Sequence, residues 1–197
     1  GHALNDLGLA YLNCQQYQKA IDLFYQALFM AQQTLHKQAE ATVLINLGFV
    51  FNHLGQLSQA KSQFTQAAEL CRSLEDLEGE ISALTNLALV HTKLNQPNQA
   101  LLLYHQILPM QKLLGDFAGE AVTLNGIGFV YSTLGQPEKA LSYFQTALQI
   151  QRAFKDRSAE AKTLNNIAAI HCELGSPQQA LLLYNQVLLA YRTLADL

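Results

Sequence analysis

The sequence is poor in cysteine and in charge. Its 197 residues include three cysteines, and 14% charged residues give a formal net charge of −3. Cys14, Cys71 and Cys172 share no pairing spacing, so we expect reduced thiols that pack as small buried hydrophobic residues. A nucleic-acid-binding protein needs a basic stripe that displaces counterions. The slightly negative charge therefore argues against a nucleic-acid partner.

Long apolar runs are also missing, although half of the residues are hydrophobic. No run approaches the roughly 20 residues that cross a membrane. No signal peptide is recognisable at the start of the chain. We therefore expect no membrane partner and a cytoplasmic location.

The residue types that enzymes and metal sites use are present but scattered. No two of the six histidines have the spacing of metal ligands on one helix. His91 and His171 recur in phase and are expected to be hydrogen-bonded core residues. No glycine-rich phosphate loop follows a strand, and the carboxylates are not paired as acid–base catalysis requires. The sequence predicts no enzyme, no metal site and no cofactor.

What the sequence does contain is a repeat with a period of 40 residues. Leucine recurs at Leu4, Leu44, Leu84, Leu124 and Leu164, and alanine at Ala20, Ala60, Ala100, Ala140 and Ala180. Five units in strict phase, without insertion, indicate a repeat architecture. The predicted units are residues 1–40, 41–80, 81–120, 121–160 and 161–197.

Each unit has the pattern of two helices joined by a short turn. In the fourth unit, Leu124, Ile127 and Tyr131 follow the spacing of one helix face. Gly135 ends this helix because glycine adopts the left-handed conformation without strain. Pro137 suits the first turn of the next helix, where a missing N–H costs little. The pattern predicts an all-α fold.

Aspartate marks the boundaries between units. Asp76, Asp116 and Asp156 are placed to cap first helices of about 17 residues. Asp196 recurs in phase, where a sixth unit would begin. Both ends also lack the polar capping helix that solenoids normally carry. We therefore expect the chain to be a segment of a longer array.

These residues resemble the tetratricopeptide repeat. The matching positions of the first unit are Leu4, Leu7, Gly8, Tyr11, Ala20, Phe24 and Ala27. The usual period of this family is 34 residues, and the longer unit here is similar to a subgroup found in kinesin light chains, polarity scaffolds and bacterial signalling arrays. The resemblance covers the whole chain. It implies an α-solenoid of five helix-turn-helix repeats, coiled into a right-handed superhelix with first helices lining a concave groove.

The helical period identifies which side chains would face this groove. At about 100° per residue, Val122, Phe129 and Thr133 point away from the core stripe of the fourth unit. Large apolar residues recur at this face and are expected to be exposed, as a binding surface often is: Leu9, Phe49, Leu89 and Phe129. The alternative is that they pack between adjacent first helices. His53 and Lys93 lie on the same face.

Asparagine forms a ladder on the predicted groove. Its members are Asn46, Asn86 and Asn166, with Asn125 beside it. An amide can donate and accept hydrogen bonds, so it can bind a peptide backbone whatever the peptide sequence, and related repeat proteins use such ladders. The alternative is that each amide bonds a neighbouring helix. The carboxylate clamp of some family members is not reproduced, which argues against an acidic peptide end.

The sequence therefore predicts a protein–protein interaction module that binds an extended peptide or partner segment. Two other roles remain open. The array could be a structural spacer that self-associates through its uncapped ends, where Tyr25 and Phe29 add aromatic surface. It could also be a sensor that regulates a fused effector domain.

Overall fold

The computed structural model describes residues 1–195, with side chains to residue 192, and over that range the protein is all-α. Ten helices follow one another, and none of the described residues forms a strand. They are α1 His2–Asn13, α2 Tyr17–Gln33, α3 Lys37–His53, α4 Leu57–Ser73, α5 Leu77–Lys93, α6 Pro97–Leu114, α7 Phe117–Thr133, α8 Pro137–Ala153, α9 Arg157–Glu173 and α10 Pro177–Ala195. The predicted all-α, helical-repeat fold is confirmed.

The chain forms two compact units, Gly1–Leu103 and Tyr104–Leu197. We call them the N-terminal unit and the C-terminal unit. Within each unit, consecutive helices pack as antiparallel neighbours, and odd-numbered helices also contact the next odd-numbered helix. We call the odd-numbered helices first helices and the even-numbered ones second helices.

The predicted aspartate caps are present. The carboxylates of Asp76, Asp116 and Asp156 accept hydrogen bonds from the third backbone N–H of α5, α7 and α9, at 3.0, 2.8 and 2.9 Å. Each of these helices has 17 residues, as predicted. Asp196 lies outside the described residues.

The turns between helices depend on a residue with positive φ. Glycine fills this position in several turns, including Gly55 and Gly135, with φ of 71° and 68°. Asn95 occupies it in the third unit, with φ of 55°. Asparagine tolerates this conformation better than most residues because its short polar side chain bonds locally. The exchange of glycine for asparagine therefore leaves the turn intact.

The core of the N-terminal unit lies between first and second helices that approach closely. Phe24 and Phe64 are fully buried. An added Cβ at Gly8 or Gly48 would lie 2.6 Å from a ring carbon of the facing phenylalanine. Glycine is needed here because the aromatic ring occupies the space that a side chain would take.

The C-terminal unit repeats this packing. Phe144 of α8 is buried against Gly128 of α7, where an added Cβ would lie 2.7 Å from the ring. Ala140 is fully buried in the same cluster as Ile167 and Ile170 of α9. The second helix is thus packed between two first helices, as a repeat architecture requires.

An ion pair recurs where one repeat meets the next. Arg152 Nε donates to Glu160 Oε1 at 2.8 Å, and this hydrogen bond lowers the pKa of Glu160. Arg72 Nε donates to Glu80 Oε1 in the same way, also at 2.8 Å. The basic side chains are largely exposed, so each pair contributes at most about 1 kcal/mol. The ion pairs therefore contribute little to the stability of the junction.

The cysteines do not all follow the expectation of burial. Cys71 is buried, whereas Cys14 and Cys172 are exposed, and all three are free thiols. Cys14 lies at the end of α1 and Cys172 in the last turn of α9, where the chain leaves the packed region. Burial raises the pKa of the Cys71 thiol to about 11, and the nearby Asp76 and Glu80 carboxylates add to this effect.

This difference predicts selective thiol labelling. A maleimide at pH 8 is expected to modify Cys14 and Cys172 but not Cys71, because the reactive thiolate of Cys71 is disfavoured and shielded. Mass spectrometry of tryptic peptides would measure the labelled fraction. The control is labelling in denaturant, where all three should react. Equal labelling of Cys71 in the folded protein would contradict its placement.

Candidate functional site

The side of the first helices that carries the predicted groove residues, which we call the first-helix face, is uneven in exposure. Phe129 is 53% exposed, and Leu89 and Val122 are exposed as well. Leu9 and Phe49 are half-buried, which corrects the expectation that all four apolar residues are exposed. Both pack against the core cluster of the N-terminal unit. The Phe49 ring meets the Phe64 ring edge-on at 5.8 Å.

The asparagine ladder is partly used inside the protein. Asn46 Nδ2 donates to Asn5 Oδ1 of α1 at 2.7 Å. Asn86 Nδ2 donates to the Ser82 carbonyl of its own helix at 2.8 Å. Asn166 is half-buried, and no hydrogen-bond partner is found for its amide among the described residues. Asn46 therefore follows the alternative of a bond to a neighbouring helix, Asn86 bonds its own helix, and peptide binding by the ladder stays a prediction.

Asn125 stabilises the junction between two first helices. Its Nδ2 donates to Thr163 Oγ1 of α9 at 2.9 Å and to the Ala121 carbonyl at 3.1 Å. Thr163 is fully buried. An amide with both donors engaged has little capacity left for a ligand. We therefore assign Asn125 to packing between α7 and α9.

His53 and Lys93 also contact other helices of the N-terminal unit. The His53 ring stacks on the Tyr17 ring at 6.3 Å. Lys93 Nζ donates to Asn52 Oδ1 at 2.7 Å. Both side chains remain exposed at one edge, so they lie on the accessible surface. Lys93 and Asn52 are 41 residues apart in the sequence, as are Asn5 and Asn46. Polar residues separated by about one repeat are therefore the feature of the sequence that could have indicated these hydrogen bonds between successive first helices.

A cavity of about 560 Å³ opens in the C-terminal unit, where α7 begins, α8 ends and α9 begins. Its lining includes Asp116, Phe117, Val122, Ile150, Gln151, Phe154 and Asp156. Phe117 and Phe154 are both exposed and stack at 4.7 Å. We call this space the Phe117 pocket. The sequence analysis did not predict this pocket, although Phe117 and Phe154 both lie close to repeat boundaries.

The polar atoms around the Phe117 pocket are mostly acceptors. Asp116 and Asp156 each use one carboxylate oxygen, Oδ1, to cap a helix, which leaves Oδ2 to accept from a ligand. Gln151 is buried, and its Oε1 has no hydrogen-bond partner among the described residues. A group that fits such a lining is apolar or aromatic and carries N–H or O–H donors rather than an anionic charge.

The pocket has an exposed apolar residue of α7 in its lining, and a second lies further along the helix. Val122 lines the pocket, and Phe129 follows seven residues later on the same side of the helix. Two helical turns separate the residues by about 10 Å. The Tyr104 ring packs against Gly126 between them. We call the Phe117 pocket, Val122 and Phe129 together the apolar path of the C-terminal unit.

The histidines and other potential metal ligands of the described residues lie apart from one another. Over residues 1–195, no group of histidine, cysteine and acidic residues is arranged to hold a metal ion. His91 is a buried core residue, as expected, and its Nδ1 lies 2.7 Å from Gln96 Oε1. None of the described helices is both long and apolar enough to cross a bilayer.

The sequence profile of the tetratricopeptide repeat matches residues 1–73, 39–112 and 119–193. The chain belongs to the tetratricopeptide repeat family. This family is a class of helical-repeat scaffolds for protein interaction that are generally non-catalytic. A search of curated protein sequences gave no match.

Solved structures share the fold at low sequence identity. BtubC from P. vanneervenii is 19% identical with a TM-score of 0.86, and the match covers 98% of this chain and 80% of that one. A Rap protein complexed with Competence and Sporulation Factor is 18% identical with a TM-score of 0.81, covering 95% and 52%. NprR in complex with its cognate peptide NprX is 21% identical with a TM-score of 0.73, covering 96% and 55%. These likenesses show the fold that the chain shares with them.

Proposed function

We propose that this tetratricopeptide array binds an extended peptide segment of a partner protein on the first-helix face. The observation that carries the proposal is the apolar path in the C-terminal unit, from the Phe117 pocket through Val122 to Phe129. Exposed apolar surface of this kind commonly marks a binding site. The bound peptide NprX of the similar NprR structure supports the same interpretation.

The peptide would place one aromatic or aliphatic side chain in the Phe117 pocket. Its backbone would run along α7, and the unpaired amide of Asn166 would bond it. In the N-terminal unit, Asn86 Oδ1 offers a hydrogen-bond acceptor for the peptide backbone. The exposed Leu89 offers an apolar surface beside it. Because the pocket oxygens are acceptors, the anchoring residue would be neutral or basic, and an acidic anchor would be repelled.

The test is a selection of random peptides displayed on phage against the 197-residue chain. Selected peptides are then titrated against wild type, Val122→Glu and Phe129→Glu by fluorescence polarisation. Either glutamate places a charge in the apolar path, and we expect affinity to fall by at least about tenfold, as for a central interface residue. Asn166→Ala is expected to weaken binding by a smaller factor.

Leu113→Glu is the matched control, because Leu113 is a highly exposed leucine of α6 that does not line the pocket. It should bind selected peptides as wild type does. Circular dichroism confirms that each variant is helical. Peptides that bind Val122→Glu and Phe129→Glu as tightly as wild type would show that the binding site lies elsewhere.

Spacer and sensor roles differ from this proposal in what they require. A spacer needs no peptide site, so a selection that enriches no peptide would favour it. A sensor needs an effector domain whose activity changes when the array binds its peptide.

A further inference from the structure

The Phe117 pocket has an equivalent place in the N-terminal unit, where the chain supplies a hydrogen-bond donor of its own. Gln38 near the start of α3 donates from Nε2 to Asp76 Oδ2 at 2.6 Å. The other oxygen of the same carboxylate, Oδ1, caps α5 at 3.0 Å. The second oxygen of this helix cap is thus bound by an N–H group from the preceding first helix.

The C-terminal unit keeps the acceptor but lacks this donor. Two repeats further along the chain, Ala118 stands in the place of Gln38. Asp156 stands in the place of Asp76, and it also lines the Phe117 pocket. Its Oδ1 caps α9 at 2.9 Å, but within residues 1–195 no side chain is found to donate to its Oδ2. The short alanine side chain therefore leaves both the space and the acceptor open.

A second acceptor in the pocket is buried. Gln151 lines the pocket and is 4% exposed, and over the described part of the chain its Oε1 meets no donor. A buried acceptor without a donor is costly, so a ligand that brings an N–H group gains from the bond. Gln151 is not a helix cap, and it is therefore a separate indication that the pocket takes a donor.

The charge of the pocket is negative. Asp116 and Asp156 line it, and among its described lining residues none is a lysine, an arginine or a histidine. The neighbouring Arg152 and Arg157 bind Glu160 at 2.8 and 3.1 Å, so their charges are already paired. The two caps also engage a backbone N–H group at the start of α7 and of α9, where an anion would otherwise bind. The complementary ligand is a cation with several N–H donors.

We propose that the Phe117 pocket binds the side chain of an arginine residue in the partner peptide. A guanidinium has five N–H donors in one plane for the aspartate oxygens and Gln151 Oε1, and it also stacks on aromatic faces such as the exposed rings of Phe117 and Phe154. Its apolar stem suits the rest of the lining. Lysine offers fewer donors and no planar surface. The inference rests on the proposed peptide-binding function and narrows the anchor to one side chain.

The first test uses a single blocked amino acid, so that it does not depend on contacts along α7. N-acetyl-arginine N-methylamide is titrated into the isotopically labelled 197-residue chain and followed by NMR. We expect saturable shifts of the Gly119 and Ala159 amides, whose N–H groups bond the two caps. The citrulline derivative has the same shape without the charge, and it should bind at least about fivefold more weakly. Equal affinities of the two derivatives, or no saturable shift with arginine, overturn the proposal.

The second test removes one charge from the pocket. Asp156→Asn keeps a residue that caps a helix well, and it should weaken binding of the arginine derivative by about fivefold. Glu138→Gln is the matched control, because it removes the same charge from an exposed residue of α8 outside the pocket. It should bind arginine as wild type does. Equal affinities of Asp156→Asn and Glu138→Gln overturn the proposal.

The third test restores the missing donor. Ala118→Gln places an amide where Gln38 lies in the N-terminal unit, on an exposed position of α7. The introduced amide is expected to bond Asp156 Oδ2 and to weaken binding of the arginine derivative several-fold. Unchanged affinity would overturn the assignment of arginine to this oxygen. Circular dichroism confirms that each variant is helical.

The peptide selection separates failure of this proposal from failure of the proposed function. Selected peptides that lose affinity with Phe129→Glu but show no preference for arginine overturn the arginine pocket and leave peptide binding in place. The opposite result is a selection that enriches no peptide while the arginine derivative binds wild type and binds Asp156→Asn more weakly. That result supports the arginine pocket and counts against the peptide function.

Discussion

Replacing Phe144 with alanine is expected to lower the free energy of unfolding by about 3–5 kcal/mol, the range for loss of a buried aromatic ring. The ring is almost fully buried and fills the space above Gly128, where no side chain could replace it. The change leaves a cavity between α7 and α8. Urea denaturation followed by circular dichroism would measure the loss.

Phe154→Ala provides the matched control for this prediction. Phe154 belongs to the same unit, only ten residues further along, but its ring is exposed and stacks on Phe117. We expect a loss of less than about 1 kcal/mol, as for most surface substitutions. Similar losses for Phe144→Ala and Phe154→Ala would contradict the assignment of Phe144 to the core.

Replacing Ala140 with leucine is expected to destabilise the protein by about 1–3 kcal/mol, the usual cost of overpacking a core. Ala140 is fully buried in the cluster that joins α8 to α9. The larger side chain can fit only if the two helices separate or neighbouring side chains leave their preferred rotamers. The measurement is the shift of the urea midpoint at constant slope.

Ala153→Leu is the control for overpacking. Ala153 is the last residue of α8 and is exposed, so a leucine there meets no core residue. Its effect should be close to zero. An equally small effect of Ala140→Leu would contradict the assignment of the repeated alanines to close contacts between helices.

The features that the sequence predicted correctly are local and repeated. The aspartate caps and the left-handed turn at Asn95 depend on a few consecutive residues. A residue type that suits one such position suits it in every repeat, so the 40-residue period multiplies a weak signal. The all-α fold and the lengths of α5, α7 and α9 follow from these signals.

Exposure on the first-helix face was not predictable in the same way. Phe49 and Phe129 occupy the same repeat position, yet Phe49 packs on the core and Phe129 is exposed. The difference depends on neighbouring side chains that the period does not fix. The hydrogen bonds of Asn46 and Asn86, which share a repeat position, also differ: Asn46 bonds Asn5 of α1, whereas Asn86 bonds the Ser82 carbonyl of its own helix.

The neighbour-only packing within each unit has a consequence for how such a chain evolves. Every helix contact in a unit joins helices that are adjacent or next but one in the sequence. A repeat therefore depends on its immediate neighbours and not on the total number of repeats. Duplication or deletion of one 40-residue segment can lengthen or shorten the array while the remaining contacts keep their geometry. If the array binds a peptide as proposed, selection can change the length of the bound segment separately from the side chains that determine its sequence.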